Sequence, residues 1–291
     1  MHPAPSVILF TVLSGMGFGL LVFLGLGLPI PIPGWLAFLH WGLGYGLAVG
    51  GLAASTFHLG NPKRALKAFS QWQTSWLSRE AWTSVATLLI LAPVALSDWL
   101  GLGWPRALGP VGAVLAIATI GTTSMIYAQM KTVPRWNSPT TPVLFLSFMA
   151  TGGAILSGNA TIALIFCVIL AATLITAFKI GDTAFAKAAQ TIGTATGLSQ
   201  IGEVTVFEQP HTSPNYLMRE MIHIVGRKHT RKLRLIAVGL SAILPFLLLL
   251  LPASLPLFAL IAALHLTGAA AARWLFFAEA EHVVGLYYGQ R

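Results

Sequence analysis

The sequence predicts an all-α membrane protein, a bundle of eight transmembrane helices forming a single domain over residues 1–291. Three observations carry that expectation. Hydrophobic residues make up 56% of the chain and mean hydropathy is +0.78. Unbroken apolar runs of about 20 residues, enough to cross a hydrocarbon layer, recur from end to end. Pro and Gly punctuate the gaps between them, in "GLPIPIPG", "GNP", "GWP", "SPTTP" and "LPASLP". Unbroken runs favour helices over a barrel, which needs short alternating strands, and only these two architectures satisfy every backbone group in lipid.

Taken in order, the predicted spans are 6–28, 35–57, 80–98, 108–130, 142–157, 160–178, 233–251 and 254–277. The first run has no basic flank and is long enough to span, so it reads as a helix rather than a cleaved signal. The fifth and sixth are separated only by "SGN" and are expected to form a tight hairpin. Residues 179–232 form the one sizeable polar insertion. Within it, "SPNYLMREM" predicts a helix from about Asn215, capped by Ser213 with Pro214 at its first position.

Of the 17 Lys and Arg residues, fourteen fall in the second, fourth and sixth connections, and only Arg106 in the odd-numbered ones. The positive-inside rule then places those three connections and both termini in the cytoplasm of a bacterial inner membrane. In this setting the net charge of +9 reads as a topology signal and not as a nucleic-acid footprint. Cys167 is the single cysteine, so the chain by itself holds no disulfide, iron–sulfur cluster or cysteine-bound zinc.

Polarity is concentrated in "STFHLGNPKRALKAFSQWQTSWLSRE", residues 55–80. Lys63, Arg64 and Lys67 read as snorkelling charges, and Trp72 and Trp76 as an interfacial belt. Glu80 reads as an acid at a helix N-terminus. Taken together, His58, Arg64 and Glu80 also supply what a quinone head group needs at the membrane edge: donors for its carbonyls and proton exchangers with access to water. The fourth connection, "YAQMKTVPRWNSPTTP", brings Tyr127, Lys131, Arg135 and Trp136 to the same level. Near the C-terminus Arg273, Glu279 and the Glu281–His282 pair lie in or just beyond the last span, where ionisable residues are functional candidates by default.

"FHLGNPKRA", "SWLSRE" and "TVPRWNSPTTP", in that order, resemble the membrane anchor subunit of bacterial dimethyl sulfoxide reductase, the DmsC family. The long insertion and the acidic "AEAEH" are similar to the anchor of cytoplasmic sulfite dehydrogenase, in which electrons run from sulfite to quinone. The resemblance implies a chain that binds ubiquinone or menaquinone and carries no haem, iron–sulfur cluster or molybdenum of its own. It further implies a four-cluster iron–sulfur subunit and a molybdopterin catalytic subunit held on the cytoplasmic side. The family's quinone site falls on His58, Arg64 and Glu80, with Tyr127 and Trp136 beside it. Lys63, Arg79, Arg135, Tyr216, Arg219 and Glu220 are then expected to face the soluble partners.

Two other readings follow from the residues alone. His40, His58, His265 and His282 could pair across helices to ligate two haems, since His40 and His58 stand five turns apart on one face. A secondary transporter with a midplane site is the other, against which spans one to six carry hardly any midplane charge.

Overall fold

The structure, a computed structural model, describes residues 1–57, 61–208, 212–213, 215–222 and 229–289. All regular structure among these residues is helical. Seven helices are long and apolar enough to cross a membrane: α1 (Pro5–Gly25), α2 (Trp35–Thr56), α3 (Trp76–Leu100), α4 (Leu108–Ala128), α6 (Ala160–Lys187), α7 (Thr230–Leu249) and α8 (Leu255–Ala278). The remaining expected span is α5 (Thr140–Leu156), a shorter apolar helix of 17 residues.

Local chemistry sets the boundaries. Pro5 opens α1 where no backbone donor is needed. Ser75, Asn159 and Ser254 cap α3, α6 and α8 by accepting from the backbone N–H groups of Ser78, Ile162 and Leu257. Three boundaries differ from the sequence reading. The Ser75 cap starts α3 at Trp76, so Glu80 lies more than a turn inside the helix and not at its N-terminus. α6 continues past 178 to Lys187 and carries Lys179 and Asp182 on helix. The short helix Tyr216–Met221 is capped by Asn215, whose side chain accepts from Met218 N–H, and not by Ser213.

α1 is the hub. From Phe10 to Gly25 nearly every residue is buried, and α2, α4 and α5 all pack on it. Glycines permit the closest crossings. A Cβ at Gly19 would sit 2.2 Å from the Met149 carbonyl oxygen on α5, and one at Gly109 would sit 2.2 Å from the Gly25 oxygen. Such small-residue contacts replace hydrophobic burial as the basis of helix association in lipid. α3 meets α4 through a ladder of hydroxyls instead, Thr83–Thr122 and Thr87–Thr119, each at 3.4 Å.

Both ends of the bundle are tied. At one end Arg106 reaches Asp98 (2.5 Å) and the Leu24 carbonyl (2.6 Å), and Trp41 donates to Asp98. At the other, the Met1 ammonium donates to the Ala280 carbonyl at 2.9 Å, so the chain's start and the end of α8 lie together. Val283 N–H donates to Thr132 there, and Tyr287 to Ala195, which brings the 129–139 and 188–201 connections to the same end.

Candidate functional site

The connection from α2 to α3 is organised by its own polar groups. Residues Pro62–Phe69 form a 3-10 helix that turns Ala65, Ala68 and Phe69 inward and Lys63, Arg64 and Lys67 outward. It is held on α3 by Ser78, whose hydroxyl donates to the Ala68 carbonyl, and by Trp82, whose indole N–H donates to Phe69 at 3.0 Å. Arg79 does not extend freely toward a partner. It donates to the carbonyls of Trp72 (3.0 Å) and Gln73 (2.6 Å) and lies over the Trp76 ring at 4.2 Å. Trp72, Arg79, Trp82 and Thr83 line a cleft of about 380 Å³ at this lip, in the size range of small-molecule sites.

Glu80 points the other way. Its carboxyl is 4% exposed and accepts the Thr123 hydroxyl at 2.5 Å. It begins an inward stripe on α3 of Glu80, Ser84, Thr87, Leu91 and Val94, the spacing that keeps one face against α1 and α4. At more than a turn from the helix start the macrodipole gives it little support. What holds it is the hydroxyl of Thr123, which nothing in the sequence pattern singles out.

The other site residues predicted from sequence fall in different surroundings. His58 lies outside the described residues. Arg64 is exposed and Glu80 is buried. Tyr127 and Trp136 are core: Trp136 is 2% exposed, stacks on Phe276 at 5.2 Å and donates its indole N–H to the Phe276 carbonyl at 2.8 Å. Tyr127 packs edge-on to Trp136, Phe276 and Phe277. The "VPRWNSPTTP" segment is thus the clasp between α4 and α8, with Thr141 and Asn137 bonding the Trp136 and Ala128 carbonyls.

Arg135 from the same segment is also engaged within the chain rather than offered to a partner. Together with Arg234 of α7 it closes a four-charge ring on Asp182 of α6 and Glu279 at the end of α8. Sequence reasoning singled out Glu279 and Arg135 but did not pair them with each other or with Asp182 and Arg234, because these four residues are spread over 145 positions (135 to 279) and meet only in the fold. Of the residues expected at a docking surface, Lys63, Tyr216, Arg219 and Glu220 are exposed. His282, just past the ring, caps the C-terminal 3-10 turn by accepting from Val284 N–H. Burial and the neighbouring N-terminal ammonium depress its pKa.

Comparison with known proteins places this architecture. The DmsC family, described as the DMSO reductase anchor subunit, matches residues 1–289. The chain belongs to the DmsC family. It is 31% identical to a subunit of the sulfite dehydrogenase of Allochromatium vinosum over 330 aligned positions, which cover 99% of each chain. No solved structure matches it. A DmsC-family anchor with these seven long apolar helices is a multi-pass membrane protein. Among the described residues no group of three or more His, Cys, Asp or Glu side chains could hold a metal ion.

Proposed function

We propose that this chain is the quinone-reactive anchor of a three-subunit molybdopterin and iron–sulfur oxidoreductase, passing electrons between the iron–sulfur subunit and the membrane quinone pool. The observation that carries it is Glu80: a carboxyl buried just inside a helix lip and held by the Thr123 hydroxyl, on the same stretch of α3 whose outer face, Arg79, Trp82 and Thr83, lines the tryptophan-walled cleft. Trp72 and Trp82 offer apolar faces suited to a quinone ring. Glu80 is assigned the proton taken up by a reduced quinone oxygen, and the Thr123 hydroxyl, its hydrogen-bond donor, steadies the carboxylate left behind. Arg64 supplies a planar donor fork at the surface, and His58, outside the described residues, is assigned proton exchange with water. A quinone accepts electrons and protons in equal number, so a site needs both a nearby electron donor and such exchangers.

Sulfite is the proposed substrate of the catalytic partner, on the full-length similarity to a sulfite dehydrogenase subunit. The family's own description favours a second reading, an anchor oxidising a quinol for dimethyl sulfoxide reduction. For topology we propose that α5 also crosses the membrane. The Met1–Ala280 contact supports an even number of crossings, because it joins the two ends of the chain. The basic connections then put that end, with the soluble partners, in the cytoplasm of the inner membrane.

The test uses the intact complex. Quinone-dependent turnover, divided by artificial-acceptor turnover in the same preparation, is expected to fall a hundredfold or so in Glu80→Gln, the usual scale for losing a positioned acid–base group. An unchanged ratio would sink the assignment of Glu80 to quinone chemistry.

A further inference from the structure

Behind Glu80 the bundle encloses a small polar chamber. Its walls include the hydroxyls of Thr11 and Ser14 from α1 and of Thr123 from α4, the rings of Phe145 and Phe148 from α5, and His265 and Arg273 from α8. It has room for about one water molecule. His265 is 0% and Arg273 3% exposed, yet His265 Nε2 and Arg273 Nη1 meet no partner in hydrogen-bond geometry, the Phe148 carbonyl of α5 lying close to the imidazole without satisfying it. Orphaned buried polar atoms are rare and call for an occupant.

The chemistry of the two atoms selects that occupant. His265 Nδ1 lies 2.7 Å from the Ser241 carbonyl, which accepts only, so the ring proton is on Nδ1. That carbonyl is available because the residue four positions on, Pro245, has no N–H to donate to it, at the π-turn Gly239–Ile243 within α7. In the neutral ring Nε2 is then an acceptor, while Arg273 Nη1 is a donor. A bridging species must therefore accept from one and donate to the other, as water does and a simple anion does not.

Arg273 has a further peculiarity. Among the described residues it is in no ion pair, and its guanidinium carbon lies 3.5 Å over the Phe145 ring. Buried cations normally have a counter-charge. Tyr127 packs on Phe145 and Phe276, two of the rings that Arg273 lies over, and Thr123 joins the chamber wall to the Glu80 carboxyl. Glu80 is four residues into α3 and Arg273 five from the end of α8, about 6 and 7.5 Å along their own helices at 1.5 Å per residue.

We propose that the chamber holds one water bridging Arg273 Nη1 to His265 Nε2, and that Arg273, fixed in this way, is the internal counter-charge of Glu80. It is a positioning residue: the guanidinium does not touch the quinone, and stabilises the carboxylate left when Glu80 gives up its proton. Thr123, Tyr127 and His265 are the titratable or hydroxyl groups near it from α4 and α8, with Glu80 one contact further on through Thr123; α1 presents the hydroxyls of Thr11 and Ser14, and α5 aromatic rings and the Phe148 carbonyl. The role of Glu80 in quinone chemistry is taken from the reading above.

The intact complex provides the test. A density map at water-resolving resolution is expected to show one bridging water, and a dry chamber or a halide on Arg273 overturns the bridge. Redox-induced infrared difference spectra are expected to contain a carboxyl C=O band that Glu80→Gln removes. Thr123→Val and Arg273→Met are each expected to move that band, whereas Thr123→Ser restores its position. If Thr123→Val moves the band and Arg273→Met leaves it in place, the counter-charge role is wrong and the Glu80 reading stands. If Glu80→Gln removes no band, Glu80 does not change protonation and both fall. Should Arg273→Met not assemble, His265→Leu removes the acceptor of the bridge and must move the same band, and an unmoved band there counts against the proposal.

Discussion

Arg234 Nε lies 2.7 Å from Glu279 Oε1, joining the start of α7 to the end of α8 across 45 residues of sequence. The second Glu279 oxygen takes Arg135, and both arginines share Asp182. Each guanidinium thereby meets two acids, and the exits of α6, α7 and α8 are pinned to the α4–α5 connection.

The two acids are unequal. Glu279 has a side chain 6% exposed and Asp182 one 47% exposed. Glu279→Gln is expected to cost about 3 kcal/mol, since it leaves two half-buried cations sharing one exposed acid. Asp182→Asn is expected to cost about 1 kcal/mol or less. Thermal denaturation of the detergent-solubilised complex measures both, and equal losses would show that the ring is solvated more evenly than its geometry indicates.

Gly19→Ala is expected to prevent stable folding, because its methyl would overlap the Met149 carbonyl on α5 and cannot be relieved by a rotamer change. Gly46→Ala, in open space on α2, is expected to accumulate normally. Immunoblotting of membranes compares them. Normal levels of the Gly19 variant would mean that α1 and α5 separate more readily than packed helices should.

Docking is expected to involve the connection after α6. Ile201 is 84% exposed and Phe207 fully so, an unusual pair for a polar segment. Ile201→Ser with Phe207→Ser is expected to release the soluble subunits into the supernatant on washing. Retention would move docking to the 62–75 connection, where Leu66 is 83% exposed.

Cys167 is buried, so a single introduced thiol reports sidedness against a low background. With an impermeant reagent outside intact cells, Ser199→Cys is expected to stay unlabelled and Trp104→Cys to react. The reverse pattern would invert the orientation and place the partners outside.

The depressed His282 pKa has a sign. A histidine held below its unfolded value stabilises the fold above about pH 6.5, and that contribution is lost as pH falls further, because the unfolded chain binds the proton more readily. Hydrogen exchange in residues 279–289 is therefore expected to quicken between pH 7.5 and 5.5. His282→Asn, which keeps a cap acceptor without titrating, should abolish the difference. A wild-type rate that does not change with pH after correction for intrinsic exchange would refute the linkage.

What the sequence determined by itself is the part of this protein governed by transfer to lipid and by local chemistry. Run length and composition place seven long helices and the shorter one between Thr140 and Leu156, and the ordered "FHLGNPKRA" and "TVPRWNSPTTP" segments point to the family. Boundaries were legible to within a few residues wherever a run was bracketed by Pro or Gly, and less so where a serine such as Ser75 did the capping. The tertiary structure alone decided what each polar residue faces. α1 is apolar on every side, so no pattern reveals that it is the hub. Nor does spacing show that Glu80 turns toward Thr123, that Trp136 is core, that Arg135 and Arg234 share Glu279, or that His265 and Arg273 open on one chamber. These are contacts between residues far apart in sequence, and in lipid they are set by close backbone approach and by polar groups seeking partners, neither of which leaves a periodic trace.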